Sequence, residues 1–238
     1  MLRSKSSLAL LLCLVGLATV PLARADQLKP FEASFTWAWH GMTVAVSTLK
    51  LEQHEDVWVY TSKSEPRGIG KVFSERPAQE STLRVTDAGV RPLHYKADDG
   101  TPSTKRDADV VFDWDHNHAT GVYEDEKVDM QLQPGVQDDL SVQIALMVEL
   151  LAGHTPDRFQ MINGNSVREY HYTREGEESV ATPFGNVDTI VFGAQKAGSP
   201  RLVRFWCAPS LGYIPVRVEQ TKGNDVQWTM HAQSIKRD

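Results

Sequence analysis

The chain has two cysteines in 238 residues, too few for a disulfide scaffold or a four-thiolate zinc site. Acidic residues outnumber basic ones, 31 against 25, and that balance argues against nucleic acid, whose phosphates call for clustered Lys and Arg. Beyond the N-terminus no apolar run approaches the roughly 18 residues that a membrane-spanning helix needs. Common enzyme signatures are missing too: there is no G-x-S-x-G elbow and no H-E-x-x-H, and the eight histidines are scattered. Gly68-Ile69-Gly70-Lys71 lacks the spacing and the hydroxyl residue of a phosphate loop and reads as a flexible loop. Acid pairs such as Asp98/Asp99 and Glu177/Glu178 lie in polar, turn-like stretches, without the contrasting environments that acid-base pairs need. The sequence therefore assigns no catalytic residue, no metal site and no cofactor. What is present, 41% hydrophobic and 24% charged residues, is ordinary globular composition.

The N-terminus reads as an address. Arg3 and Lys5 precede an apolar run from Leu8 to Val20; Pro21 breaks it, and Ala23-Arg24-Ala25 offers small residues at the two positions a signal peptidase reads. Residues 1–25 are expected to be a signal peptide cleaved after Ala25. Leu12 before Cys13 does not fit lipidation. The mature chain, 26–238, loses three cations and no acid, which takes the net charge from −6 to −9. It is expected in the periplasm, with no stable membrane insertion after cleavage. Its remaining thiol, Cys207, lies in an apolar run and reads as a small buried hydrophobe.

Strand signals dominate the rest. Phe31, Phe35, Trp37 and Trp39 share one parity and Glu32, Ser34 and Thr36 the other, the period of a half-buried strand. In the next segment the apolar parity moves from Val44 and Val46 to Leu49 and Leu51, which suggests a bulge. Further strands are expected over 57–61, 79–85, 90–96, 108–114, 121–124 and 128–132. After residue 158 they are expected over 159–162, 167–173, 178–182, 187–192, 201–207, 213–219 and 225–234. Tight turns such as Asp87-Ala88-Gly89 and Pro183-Phe184-Gly185-Asn186 separate them. One segment differs. Leu140 to Ala152 holds no Gly, Pro or Thr, follows the N-capping residues Asp138 and Asp139, and ends at Gly153. Ile144, Met147, Val148 and Leu151 recur at helical spacing, and so few positions are polar that the sheet must cover the helix. The fold class follows: mainly β, one domain over 26–238, a curved antiparallel meander of half-barrel form covered by one apolar helix near 139–152.

Three stretches resemble a known family. They are Pro134-Gly135-Val136-Gln137-Asp138-Asp139-Leu140-Ser141, Ala181-Thr182-Pro183-Phe184-Gly185-Asn186-Val187, and Phe205-Trp206-Cys207-Ala208-Pro209 with Ile214-Pro215-Val216-Arg217. They are similar to the D-x-x-S turn, the T-P-x-G hairpin and the W-x-x-P…P-V-R ending of the bacterial exported family called domain of unknown function 3108. The resemblance implies an envelope protein with a curved antiparallel sheet. It supplies no activity and no catalytic residues.

Asp113-Trp114-Asp115-His116-Asn117-His118 imitates part of a calcium loop but lacks the central glycine, so it reads as a polar hairpin. The remaining feature is a surplus of large apolar residues on one sheet face, with Trp58 or Val59 and Trp206 or Phe205 among them. Phe35, Trp37, Trp39, Met147, Leu151, Trp206 and Trp228 are the residues expected to line a groove for a lipophilic ligand or the apolar segment of an envelope component. An interaction module in envelope assembly or secretion, with a protein partner, is the alternative; a cell-wall or polysaccharide hydrolase is a third reading. The export reading has a direct check: intact mass and N-terminal sequencing of protein recovered from a periplasmic fraction should give a chain that starts at Asp26.

Overall fold

The computed structural model describes residues 28–72 and 75–237; the expected signal peptide, its cleavage point and Cys13 lie outside them. Alternating side chains and tight turns lay down the first run of strands: β1 (Phe31–Trp39), β2 (Met42–His54), β3 (Val57–Pro66), β4 (Ala78–Thr86) and β5 (Gly89–Asp98). Next come β6 (Ala108–Asp113), β7 (His118–Tyr123), β8 (Glu126–Gln131) and a two-residue β9 (Val136–Gln137). The helix α1 (Ser141–Leu151) follows. The chain then returns as β10 (Arg158–Asn163), β11 (Ser166–Thr182), β12 (Gly185–Lys196), β13 (Arg201–Ala208), β14 (Ile214–Lys222) and β15 (Asp225–Arg237).

All fifteen strands form one sheet, in the order β8 to β1 followed by β15 down to β9. Two meanders are thus joined at their centre, where β1 pairs with β15 from Phe31↔Arg237 to Trp39↔Trp228. Every pair is antiparallel except β9 with β10. The sheet is open, because β8 and β9 stand at its ends. A side chain bridges the gap instead of a ladder: the Asp129 backbone N–H donates to Asn165 Oδ1 at 2.9 Å. Such capping keeps a strand edge from pairing with another chain.

The bulge in β2 falls at Val44, opposite Trp37/Ala38, and not between Val46 and Leu49 where the change of apolar parity pointed; from Ala45 to Leu51 the pairing is unbroken. Three further details differ from the sequence expectation. Residues 167–173 and 178–182 are parts of one strand, β11, because an extra residue at Glu175 and a positive φ at Gly176 bend the chain without ending the pairing. The parallel β9 is too short to show any period. Gly68–Val72 is a short 3-10 helix, not a free loop, and a Cβ on Gly70 would meet the Val44 carbonyl oxygen at 1.9 Å.

The helix divides the interior. Leu140, Ile144, Ala145 and Met147 belong to a core with Phe31, Phe35, Leu51, Tyr60 and Tyr95. Val142, Leu146 and Leu150 pack with Tyr172, Phe192 and Cys207. A helix that is apolar around its whole circumference finds apolar walls on both sides. Each large side chain buried this way contributes about 1.5–3 kcal/mol. Cys207 is fully buried, and burial pushes its thiol up to about 12. The mature chain should therefore show no thiol reaction with Ellman's reagent while folded in mildly alkaline buffer, and one reactive thiol once denatured; fast reaction of the native protein would contradict this packing.

Candidate functional site

The inner face of β1 runs from covered to uncovered. Phe31, Ala33 and Phe35 are buried, Trp37 is half-buried, and Trp39 is 51% exposed. Its partner β15 repeats the gradient, with Ala232 buried and Met230 and Trp228 half-buried. The helix packs beside β5 and β9 rather than along β1 and β15, and this end of the inner face is left uncovered. At that bare end the Trp37 and Trp228 rings lie 5.2 Å apart, tilted by 46°. Trp39 pairs with Trp228 on one side and Met42 on the other. Met42 is 47% and Val226 41% exposed. The result is a tryptophan–methionine rim built from the end of β1 and the starts of β2 and β15.

The other expected groove residues are placed elsewhere. Phe35 and Met147 are buried in the same core cluster. Leu151 is half-buried at the helix end. Trp206 is buried in the same core cluster as Phe35 and Met147, while its strand neighbours Phe205 and Cys207 pack in the other cluster, on the opposite face of β13. Its indole N–H donates to Glu178 Oε2 at 2.7 Å, and the Arg217 guanidinium lies 4.3 Å over its ring. Phe205 takes the inward place, and in β3 the buried residue is Trp58 rather than Val59. The structure therefore brings together Trp37, Trp39 and Trp228, and separates Trp206 from them.

Beside Trp206 lies a charged cavity of 380 Å³ that pattern reading did not single out. Arg204 pairs with Glu175 and Arg217 with Glu219, each at 2.6 Å. The signal was faint: Arg204-x-Trp206 and Arg217-x-Glu219 are aligned only through the β13–β14 register. Burial, followed by the nearby Arg217, lowers the titration of His231. A polar groove of 720 Å³ bordered by Lys63, Glu80, Lys96 and Asp109 follows the other meander. In the expected polar hairpin, His116 Nδ1 bonds Asp113 Oδ2 at 2.7 Å and His118 Nε2 bonds Asp129 Oδ1 at 2.8 Å.

Two acids start the helix. Asp138 is fully buried; its Oδ1 accepts from the backbone N–H groups of Leu140 and Ser141, and its Oδ2 from the Ser81 hydroxyl at 2.6 Å. Ser141 Oγ accepts in return from the Asp138 N–H. This is a reciprocal cap, so Ser141 serves the helix start. Asp139 is exposed as a residue, yet its Oδ2 is turned between the hydroxyls of Tyr95 and Tyr123, at 3.3 and 2.7 Å. Burial outweighs these hydrogen bonds in both acids. Asp138 is pushed up to about 6, and Asp139 is raised as well. Shifted acids are what a hydrolase would need, but Asp138 is sealed and its acceptor sites are occupied by the cap.

The chain can now be placed among known proteins. Residues 31–227 match the family described as protein of unknown function (DUF3108). The chain belongs to this family. No curated protein matches the sequence. Among solved structures, a β-barrel-like protein of domain of unknown function DUF1849 from Brucella abortus is similar, with a TM-score of 0.58 and 10% identity. The match covers 89% of this chain and 99% of that one. A protein with a YmcC-like fold from Bacteroides fragilis NCTC 9343 matches over 88% and 96%, with a TM-score of 0.40 and 11% identity. At such identities the first likeness shows the fold alone. Within the DUF3108 chain, the raised Asp138 fixes a pH signature. Its native proton is held more tightly than the unfolded one, so its contribution to stability is greatest below about pH 4 and falls as pH rises to about 6, by on the order of 3 kcal/mol. Asp138→Asn keeps an acceptor for both helix N–H groups and should flatten this slope in urea unfolding at a series of pH values. Asp138→Ala should lose the cap as well, about 1–2 kcal/mol.

Proposed function

We propose that the protein is exported to the bacterial envelope and there binds the apolar part of a lipophilic ligand, such as an acyl chain, at the rim formed by Trp37, Trp39 and Trp228. The observation that carries the reading is the uncovered stretch of inner face. Several large apolar side chains from three adjacent strands stay wet where the rest of that face is buried. Contiguous exposed apolar surface of this kind is costly unless something covers it. Tryptophan and methionine suit an oily ligand of variable shape, since both offer large, polarizable contact surface. Export rests on the N-terminal pattern of Arg3, Lys5, the run from Leu8 to Val20 and Ala23-Arg24-Ala25.

Phe35 and Met147, buried in the core, and Leu151, at the helix end, lie outside the rim in this reading. Trp206, on the other face, is left outside it. The alternative of a protein-interaction module working through free strand edges has less support. On the edge strand β8 the Asp129 N–H is occupied by Asn165 Oδ1. Edges capped in this way are poor templates for an added strand.

Protein purified from a periplasmic fraction should carry lipid detectable by mass spectrometry, and the delipidated protein should take up a fluorescent fatty acid saturably. Trp39→Ala and Trp228→Ala should each weaken that uptake by about tenfold or more, since each removes a large apolar contact. Their melting temperatures should stay close to the parent's. Absence of both bound lipid and saturable uptake would end the proposal.

A further inference from the structure

Apolar exposure is concentrated at one end of the molecule. Seven large apolar side chains stand exposed among the described residues; Trp39, Met42 and Val226 belong to the rim, and Ile69 joins them. The register places the first three where the β1–β2 turn lies beside the start of β15. The chain after β3 brings in the fourth. The Arg67 N–H donates to the Val44 carbonyl at 2.8 Å. The short helix Gly68–Val72 then packs so close to β2 that a Cβ on Gly68 would meet the Thr43 carbonyl oxygen at 2.6 Å. Thr43 follows Met42 directly, so Ile69, 45% exposed, stands beside the rim.

Cations flank this apolar tip on both sides. Arg201 and Lys222 are direct cross-strand partners at the start of β13 and the end of β14. Both are exposed, and neither has an ion-pair partner among the described residues. On the other side Arg67 and Lys71, also exposed, bracket Ile69. The nearby acids are Glu65, tied to Arg67 at 3.2 Å, and Asp225, across the β14–β15 turn from Lys222. In a chain with 31 acidic and 25 basic residues, an end richer in cations runs against the average. Like charges set opposite each other in a sheet repel, and an anion outside the protein relieves Arg201 and Lys222. Tryptophan favours the boundary between headgroups and acyl chains, and Lys and Arg near it draw anionic headgroups.

We propose that this end docks on the surface of a bilayer carrying anionic phospholipid. Trp39, Met42 and Ile69 enter the headgroup layer while Arg201, Lys222, Arg67 and Lys71 face the lipid phosphates. The inference rests on the reading of the rim as an acyl-chain site and adds where the chain comes from: the lipid passes from the bilayer onto Trp37 and Trp228 without crossing open water.

The test is flotation of the mature chain with vesicles. Vesicles of roughly three parts phosphatidylcholine to one part phosphatidylglycerol should carry the protein, and phosphatidylcholine alone should carry at least about tenfold less. Raising the salt from about 0.05 to about 0.5 M should release it. Arg201→Glu combined with Lys222→Glu should weaken binding to the anionic vesicles by at least about tenfold. Arg201→Gln with Lys222→Gln should give a smaller loss in the same direction. Ile69→Ser should weaken binding too, with a far-UV circular dichroism spectrum like the parent's. Equal binding to both kinds of vesicle, binding to neither, or full binding by the charge-reversed variant would overturn the docking. Uptake of the fluorescent fatty acid in vesicle-free solution separates the two readings. Uptake without vesicle binding strikes the docking alone; vesicle binding without uptake strikes the acyl-chain site and leaves the docked surface.

Discussion

The structure depends on one constraint: an eleven-residue helix with apolar stripes on two sides must be walled in on both. Val142, Leu146 and Leu150 form one stripe, each a turn further along, and Leu140, Ile144 and Met147 form another. A flat sheet can satisfy only one stripe. A sheet that curls round until both meanders face the helix satisfies both, and the fifteen strands do this while staying unjoined at their ends. The cap at Asp138 belongs to the same constraint. A helix start buried under β4 needs its first N–H groups satisfied from within the protein, and a carboxylate does so even though burial makes ionisation unfavourable.

The tryptophan rim follows from uneven cover along two paired strands. Shielding weakens along β1 and β15 from Phe35 and Ala232 toward Trp39 and Trp228. Core and proposed site are two ends of one continuous apolar face.

Alternation made most of this legible in advance. The parity of Phe31, Phe35, Trp37 and Trp39 and the helix over 140–152 could be read from the residues, because each is a local pattern. Depth could not. Nothing in the local sequence separates Phe35, which is covered, from Trp39, which is not, since cover comes from residues far off in the chain. Trp206 and Phe205 were ambiguous for a different reason: Leu202, Val203, Phe205 and Cys207 put apolar groups at both parities, and only the register with Val191 and Arg217 assigns the faces. Asp138 was recognisable as a cap from the D-x-x-S spacing, but its raised titration comes from burial, which the hydrogen bond from Ser81, far off in the chain, only partly offsets.

The seating of β15 directly against β1 carries a consequence for how the molecule comes into being. The centre of the sheet unites the earliest and latest ribbons of the chain, so the middle of the fold is the last part that can form. Until the C-terminal segment arrives, two half-sheets wait with a raw margin apiece, and closing so large a loop is entropically slow. While β1 and β15 are still unpaired each half-sheet keeps one free strand margin, so the slow closure is also the step most open to wrong pairing.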